Sequence, residues 1–333
     1  MTLNEAIQIM TNKKEDKSID NAVIQRFADV LDCEMANTVQ RLAESELKHM
    51  GIPFNTLTLI RNKDGVSVWR VTTEANSYVM KCFDKPEYRR EITNYQILSS
   101  LGIQTLKVIA YTEYSLLIED IEHSTYRLGT VEDINDPEIA KLIARWYKTL
   151  HENGREYANI YPLYDECDSL NLENLRAIQE KTGTRELPVW RLVEEHFAQI
   201  HTAAVSLPRT LTYNDFHFTN LAVARDGSIA LIFDYNMLGK GYVYSDIRNV
   251  CGQLGNEEAR AAFLSAYGAF DEYEAVVDNV VCLLTSLHIA CQRNNFPGWG
   301  YALLDMVKDG RLLAAVETLL KKSDCMTFDE FIN

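Results

Sequence analysis

Asp215, Asn220 and Asp234 are the residues whose types and spacing best suit shared chemistry. Asp215 and Asn220 stand five apart in YNDFHFTN (213–220), and Asp234 ends the apolar run SIALIF (228–233). A carboxylate, an amide and a second carboxylate are hard oxygen donors. Two of them on neighbouring strands can reach one hard cation such as Mg²⁺, whose ligand distances are about 2.1 Å.

The element that must position them is a hairpin. LAVA (221–224) and SIALIF flank Arg225, Asp226 and Gly227. Asp-Gly favours the positive φ values of a two-residue type I′ turn. With Asp226 and Gly227 as that turn, Asn220 faces Phe233 and Thr219 faces Asp234. Asn220 and Asp234 then sit diagonally at the base of the hairpin, on strands about 4.8 Å apart. Asp215 lies in the loop entering the same end. Singly, each has an ordinary reading as a turn cap, a strand start or a strand end; together they read as a site.

Upstream, YVMKCF places Val79, Lys81 and Phe83 on one side of a strand. A lysine between apolar neighbours needs a partner or an exit to solvent. Glu91, ten residues on, lies on the following helix and is the candidate partner. IRNKDGVSVWRV offers one turn glycine, Gly65, with Ser67 where the chain re-enters a strand.

The wider pattern supplies a frame for these residues. Over 51–120, FNTLTLI, VSVWRV, NSYVMKCF, KVIAYTEY and SLLIEDI read as strands. EYRREITNYQILSSLGI reads as a helix with the stripe Ile92, Tyr95, Leu98 and Leu101, closed by Gly102. From 121 to 333 the chain reads as mainly helical: DPEIAKLIARWYKTLHENG ending near Gly154, then stretches around 173–181, 189–205, 257–270, 274–294 and 300–322. Residues 1–50 read as a helical extension, with one stripe from Val23 to Leu31 capped by Asp20 and a second of Val39, Leu42, Leu47 and Met50. The fold class is α+β: a small antiparallel sheet lobe with one helix, joined to a larger helical lobe.

Composition narrows the function. The 333 residues include 47% hydrophobic side chains, enough for packed cores. Lys and Arg number 33 against 48 Asp and Glu, a net charge of −15. Such a balance argues against nucleic acid or an anionic membrane as partner and is compatible with a cationic small substrate. The seven cysteines are widely spaced with no CxxC pair, which argues against a zinc cluster or a disulfide framework. The N-terminus lacks the apolar core of a secretory signal, and no stretch approaches the length of a membrane span. The expectation is a reduced, cytoplasmic protein of open oligomeric state.

D-x-x-x-x-N, a hairpin, then an Asp after an apolar strand resembles the catalytic arrangement of kinase-like phosphotransferases, and its wording is similar to the aminoglycoside phosphotransferase and choline kinase group. That group reads H-G-D-L-H-x-x-N, then I-D-aromatic, then a further Asp after a glycine-containing loop. This chain has Asp215, Phe216, His217 and Asn220, then Phe233, Asp234, Tyr235, Gly239, Gly241 and Asp246. Arg90, Glu91 and Leu98 after Lys81 fit its upstream pattern. The resemblance covers about 52–320 and implies a two-lobed protein-kinase-like fold. It implies Asp215 as catalytic base, Asn220 and Asp234 as Mg²⁺ ligands, and Asp246 as a buried support of the loop. Lys81 with Glu91 would serve the nucleotide phosphates, with Ser67 near them, and the backbone from Glu119 to Ile121 the adenine. ATP or GTP is the implied donor, and a small hydroxyl compound the acceptor. His151 is expected to be structural, and His217 to meet phosphate or pack in its loop. Tyr213 stands where the group has His, and Thr219 where Gly or Pro is common.

The acceptor is open: the acidic YDECDS (164–169) and the aromatic FPGWGY (296–301) are candidate contacts for a cation, or a solvated loop and core aromatics. A nucleotide-binding pseudokinase and a metal hydrolase are the competing readings.

Overall fold

The structure is a computed structural model and describes residues 37–329. The expected stripe from Asp20 to Leu31 lies outside those residues. Of the described residues, those up to Ile92 together with Lys107–Ser124 form one compact unit, and Thr93–Leu106 with those from Thr125 onward form a second.

In the first unit, period-2 patterning makes the sheet. In β2 (Val66–Thr72) every second residue, Ser67, Trp69 and Val71, is buried. β1 (Thr56–Lys63), β2, β3 (Ser77–Phe83), β4 (Val108–Tyr111) and β5 (Ser115–Glu119) form one antiparallel sheet in the order β1-β2-β3-β5-β4. β1 is an edge strand with a register shift between Leu59 and Arg61, an irregularity that discourages further strand pairing. Trp69, Val71, Met80, Cys82 and Leu117 pack with Ala43 and Leu47 of helix α1 (37–49). Leu42, expected in that stripe, is instead exposed, and Ala43 takes the buried position. Asp64 and Gly65 join β1 to β2 with φ of 56° and 87°, and Lys63 pairs with Val66, so this Asp-Gly is the two-residue type I′ turn.

Helix α2 (Pro86–Ser100) starts on proline, whose missing N–H costs nothing in a first turn. Its residues from Thr93 onward belong to the second unit. Ile92, Tyr95 and Leu98 are buried as the spacing predicts, and Gly102 has φ of 69°.

The second unit is mainly helical around two small sheets, β6 (Tyr126–Leu128) with β8 (Leu221–Ala224) and β9 (Ala230–Ile232), and β7 (Thr210–Thr212) with β10 (Gly239–Gly241). Helix α3 (Pro137–Ile160) is capped by Asp136, which accepts from Glu138 N. It does not end near Gly154. A Cβ at Gly154 would lie 2.6 Å from Leu211 Cβ, so this glycine serves close approach of the helix to β7.

After α3 come α4 (Leu172–Thr182), α5 (Pro188–Glu195) and α6 (Phe197–Ser206), the last two split at His196. Helices α7 (Val243–Gln253), α8 (Glu257–Tyr267) and α9 (Glu272–Gln292) come next. The stretch expected as one final helix breaks at Asp309 and Gly310 (φ 87°) into α10 (Gly298–Lys308) and α11 (Arg311–Asp329). Contrary to the sequence reading, the 21-residue α9 has the length and composition of a membrane span. Eleven of its residues, among them Val277, Val280, Leu284 and Leu287, are buried in the protein, which accounts for much of its apolar character.

Candidate active site

The loop after β7 carries the second unit's candidate chemistry, and Asp246 of α7 fixes its backbone. The fully buried Asp246 carboxylate accepts from Tyr213 N at 2.8 Å and Asn214 N at 2.9 Å. His151 Nε2 lies 3.1 Å from the same carboxylate, and its Nδ1 lies 2.8 Å from Tyr267 Oη. His151 is therefore structural, as the sequence suggested. Asn214 holds φ of 67°, a conformation Asn tolerates, and its amide donates to Thr212 Oγ1 at 3.0 Å and Met237 O at 3.2 Å. This backbone presents Asp215 at the surface, between the half-buried Asn214 and the buried Phe216.

The hairpin register is as expected. Leu221 faces Ile232, and Phe233 N donates to Asn220 O at 2.9 Å. The turn is different. Gly227 N bonds Ala224 O and only Gly227 has positive φ, so Arg225 and Asp226 form a type I turn inside a four-residue loop. Ser228 N and Oγ both donate to Asp226 Oδ1, which stabilises this wider bend.

Asn220 Nδ2 donates to Asp215 O at 3.2 Å, leaving Oδ1 without a donor among the described residues. Asp234 is half-buried with φ of 68° and ψ of 72°. The protein packed around Asp215 and, second, the Asp234 charge push the Asp215 carboxyl up to about 6. The Asp215 carboxyl thus feels the Asp234 charge. Among the described residues no group of three or more His, Cys, Asp or Glu is placed to hold a metal. One amide and one carboxylate nevertheless fit Mg²⁺, which takes few protein ligands when phosphate oxygens and water complete its shell.

Two side chains support the backbone on either side of Asp234. Tyr213, fully buried, donates its hydroxyl to Phe233 O at 2.7 Å. Asn94 of α2 donates to Tyr235 O at 2.7 Å. Asn94 was missed in the sequence, although a polar residue beside the stripe Ile92, Tyr95 and Leu98 is its signal. Gly129 was missed as well: its N–H bonds Leu221 O at 2.7 Å, and a Cβ there would lie 2.6 Å from Phe218 O. His217 meets Thr219, with Nδ1 2.8 Å from its hydroxyl.

In the first unit, Lys81 Nζ lies 2.7 Å from Glu91 Oε1, with side-chain exposures of 11% and 2%. The expected pair is present. Ser67 does not face a phosphate loop: it is buried and its hydroxyl accepts from Trp69 Nε1 at 2.9 Å. Alternation puts Ser67 on the same buried face as Trp69, and the tight Asp64–Gly65 turn leaves no long loop beside it. Glu119 Oε1 accepts from Lys107 N at 2.6 Å, and Glu119 N donates to Lys107 O, so both groups are used within the sheet. Ile121 N–H meets no acceptor among the described residues, and its carbonyl accepts from Ser124.

The acidic stretch splits in two. Asp165 is buried, accepts from Arg209 Nε at 2.9 Å and caps Cys167 N, a structural role. Glu166 is half-buried, and burial, with Asp278, Asp246 and Asp165 outweighing Arg248, raises its carboxyl to about 7. Trp299 and Tyr301 are exposed rather than core residues.

The model of the phosphotransferase enzyme family matches residues 57–277. No curated protein sequence matches the chain. Among solved structures, a choline kinase from Streptococcus pneumoniae aligns with a TM-score of 0.55 at 14% identity, over 86% of this chain and 99% of that one. A choline/ethanolamine kinase family protein from Mesorhizobium loti aligns at 0.56 and 16% identity, over 79% and 93%. The AMP-bound complex of a spectinomycin phosphotransferase aligns at 0.54 and 14% identity, over 85% and 94%. At these identities the likeness is one of fold, and it gives the chain a two-lobed, kinase-like α+β architecture.

Proposed function

The chain belongs to the phosphotransferase enzyme family, and from that membership we propose that it moves the γ-phosphoryl group of ATP to a hydroxyl of a small molecule. The observation that carries the proposal is the Asp215 carboxylate, presented at the surface by a backbone that Asp246 holds at two N–H groups and lying within reach of the Asp234 charge.

Asp215 orients the acceptor hydroxyl and takes its proton as the phosphoryl group leaves ATP. A weak base suffices, because the transferring group itself carries the developing charge. Asn220 Oδ1 and the Asp234 carboxylate would hold Mg²⁺, which offsets negative charge on the phosphate oxygens. Lys81, pinned by Glu91, serves the α- and β-phosphates. The open Ile121 N–H is a donor for adenine. A nucleotide complex of one similar fold, the AMP-bound spectinomycin phosphotransferase, supports an adenine nucleotide.

The acceptor is proposed to be cationic. The chain's net charge of −15 and the half-buried Glu166, which lacks a close ion-pair partner among the described residues, favour a positively charged group. The second reading is nucleotide binding without turnover, favoured by the two-residue turn at Asp64–Gly65 and the inward Ser67 hydroxyl.

ADP release from Mg-ATP, followed over a panel of amino alcohols and amino sugars, tests the proposal. Turnover is expected, and Asp215→Asn is expected to lower it by about 10²–10⁴-fold, the span of general-base contributions. Nucleotide binding with no turnover across the panel would favour the second reading; turnover that survives intact in Asp215→Asn refutes the base assignment.

A further inference from the structure

We propose that Tyr213 and Asn94 are positioning residues that lock Asp234 in its metal-binding conformation, one through the carbonyl before it and the other through the carbonyl after it. The inference rests on the phosphotransfer reading, in which Asp234 is a magnesium ligand.

Asp234 needs such help. Its φ of 68° and ψ of 72° are left-handed, a region that side chains with a Cβ avoid. Asn214, the other left-handed residue in this region, secures itself by bonding Thr212 and Met237 through its own amide. Asp234 makes no side-chain bond to the helical turn it begins, so its carboxylate does not fix its own backbone in that way.

The neighbouring peptides are fixed from outside instead. Tyr235 Oη bonds Ile232 O, Tyr213 Oη bonds Phe233 O at 2.7 Å, and Asn94 Nδ2 bonds Tyr235 O at 2.7 Å. Three of the four carbonyls from 232 to 235 thus accept from a side chain. Phe233 also gives its N–H to Asn220 O at 2.9 Å, so the residue that Tyr213 grips links the backbones of the two proposed ligands. Both donors are buried, Tyr213 at 0% exposure and Asn94 at 4%. The rings of Tyr95 and Trp146 pack on Tyr235 at centroid distances of 4.7 and 6.4 Å, which limits movement of the turn.

With the backbone held on both sides, cation binding does not have to reorder the turn. Without the Tyr213 hydroxyl or the Asn94 amide, the left-handed turn relaxes and metal binding must first restore it. Tyr213 occupies the place where the resembled group has His, and an imidazole N–H is a donor as well. The requirement at this position is therefore a buried donor.

The test uses the full chain and Mn²⁺ as the probe, with binding read by electron paramagnetic resonance in the presence of ADP. Tyr213→Phe and Asn94→Ala are each expected to weaken Mn²⁺ binding about tenfold, as loss of a ligand's supporting bond does. ADP affinity without metal is expected to stay unchanged. Turnover is expected to return toward the wild-type rate as Mg²⁺ rises, and Tyr213→His is expected to recover Mn²⁺ affinity to within about threefold.

A folded Tyr213→Phe that binds Mn²⁺ as tightly as wild type overturns the inference alone. So does equal weakening in Tyr213→Phe and Tyr213→His, which would mark the tyrosine as a packing residue. If Tyr213→Phe fails to fold, Asn94→Ala decides by the same measurement. A wild-type protein that binds no Mn²⁺ with ADP overturns the inference together with the reading on which it rests.

Discussion

At the scale of single residues, the proposed base is a carboxyl held up to about 6 by the protein packed beside it, which displaces water, and by the Asp234 charge. A raised carboxyl keeps its proton to higher pH, so the base form is lost as pH falls through that value. At limiting magnesium, kcat/KM is expected to fall about tenfold per pH unit below about pH 6. Magnesium at Asp234 offsets the second cause, so the acid limb is expected to move to lower pH as the metal rises. A limb that stays fixed over a pH–magnesium matrix contradicts the effect of the Asp234 charge on Asp215. The Lys81–Glu91 pair was legible in the sequence because a lysine between apolar neighbours in a strand needs a partner. Asn94 and Gly129 were harder, since their roles lie in contacts with residues distant in sequence: Tyr235 for Asn94, and Phe218 and Leu221 for Gly129.

At the scale of elements, local pattern predicted strands and register well and element ends poorly. The pairing of Leu221 with Ile232 was expected from a turn centred on Asp226 and Gly227, and the four-residue loop preserves it because it has the same centre. Two Asp-Gly pairs show the limit. Asp64–Gly65 adopts the type I′ turn, whereas Asp226–Gly227 sits in a wider loop where the Asp226 carboxylate bonds Ser228. The same dipeptide thus gives two turns, and the next residue separates them: Val66 enters a strand directly, while Ser228 offers a hydroxyl to the turn.

Gly154 read as a helix end because glycine commonly ends helices, yet tertiary packing against Leu211 explains it. Gly154→Ala is expected to be destabilising: overpacking costs about 1–3 kcal/mol, against a helix-propensity gain of about 1 kcal/mol. Gly252→Ala in α7 meets nothing within 4 Å and is expected to stabilise by up to about 1 kcal/mol. Urea unfolding of the pair checks the contrast, and similar shifts in both variants would show that propensity alone governs Gly154.

At the scale of the whole molecule, carboxyls pull stability in two directions. Asp120 is buried, which alone would raise it, but Ser77 and Arg70 bond it and hold it below its usual value. Asp133 is likewise lowered by Arg127 and Thr130 against burial. Their contribution is present above the unfolded carboxylate pKa and disappears as pH falls through the lowered values. Glu166, raised to about 7, acts oppositely: the folded state holds its proton more tightly, so stability grows as pH falls from about 7 toward the unfolded value. The raised Asp215 and the self-repulsion of a chain carrying −15 act in the same direction. Tm is therefore expected to peak on the acid side of neutrality, and Glu166→Gln to flatten its rise between pH 8 and about 6. A wild-type Tm that is level or falls over that interval contradicts this account.

The bend at Arg225–Ser228 has a practical use. It is a solvent-facing tip with open space at Gly227, and its register is set by the strands behind it. Four residues of strand separate it from Asn220, about 13 Å of extended chain. A fluorescent amino acid encoded at Asp226 would stand near enough to sense charge arriving at the base of the hairpin and far enough to leave it intact. The fold thus carries its own mounting point for an optical reporter.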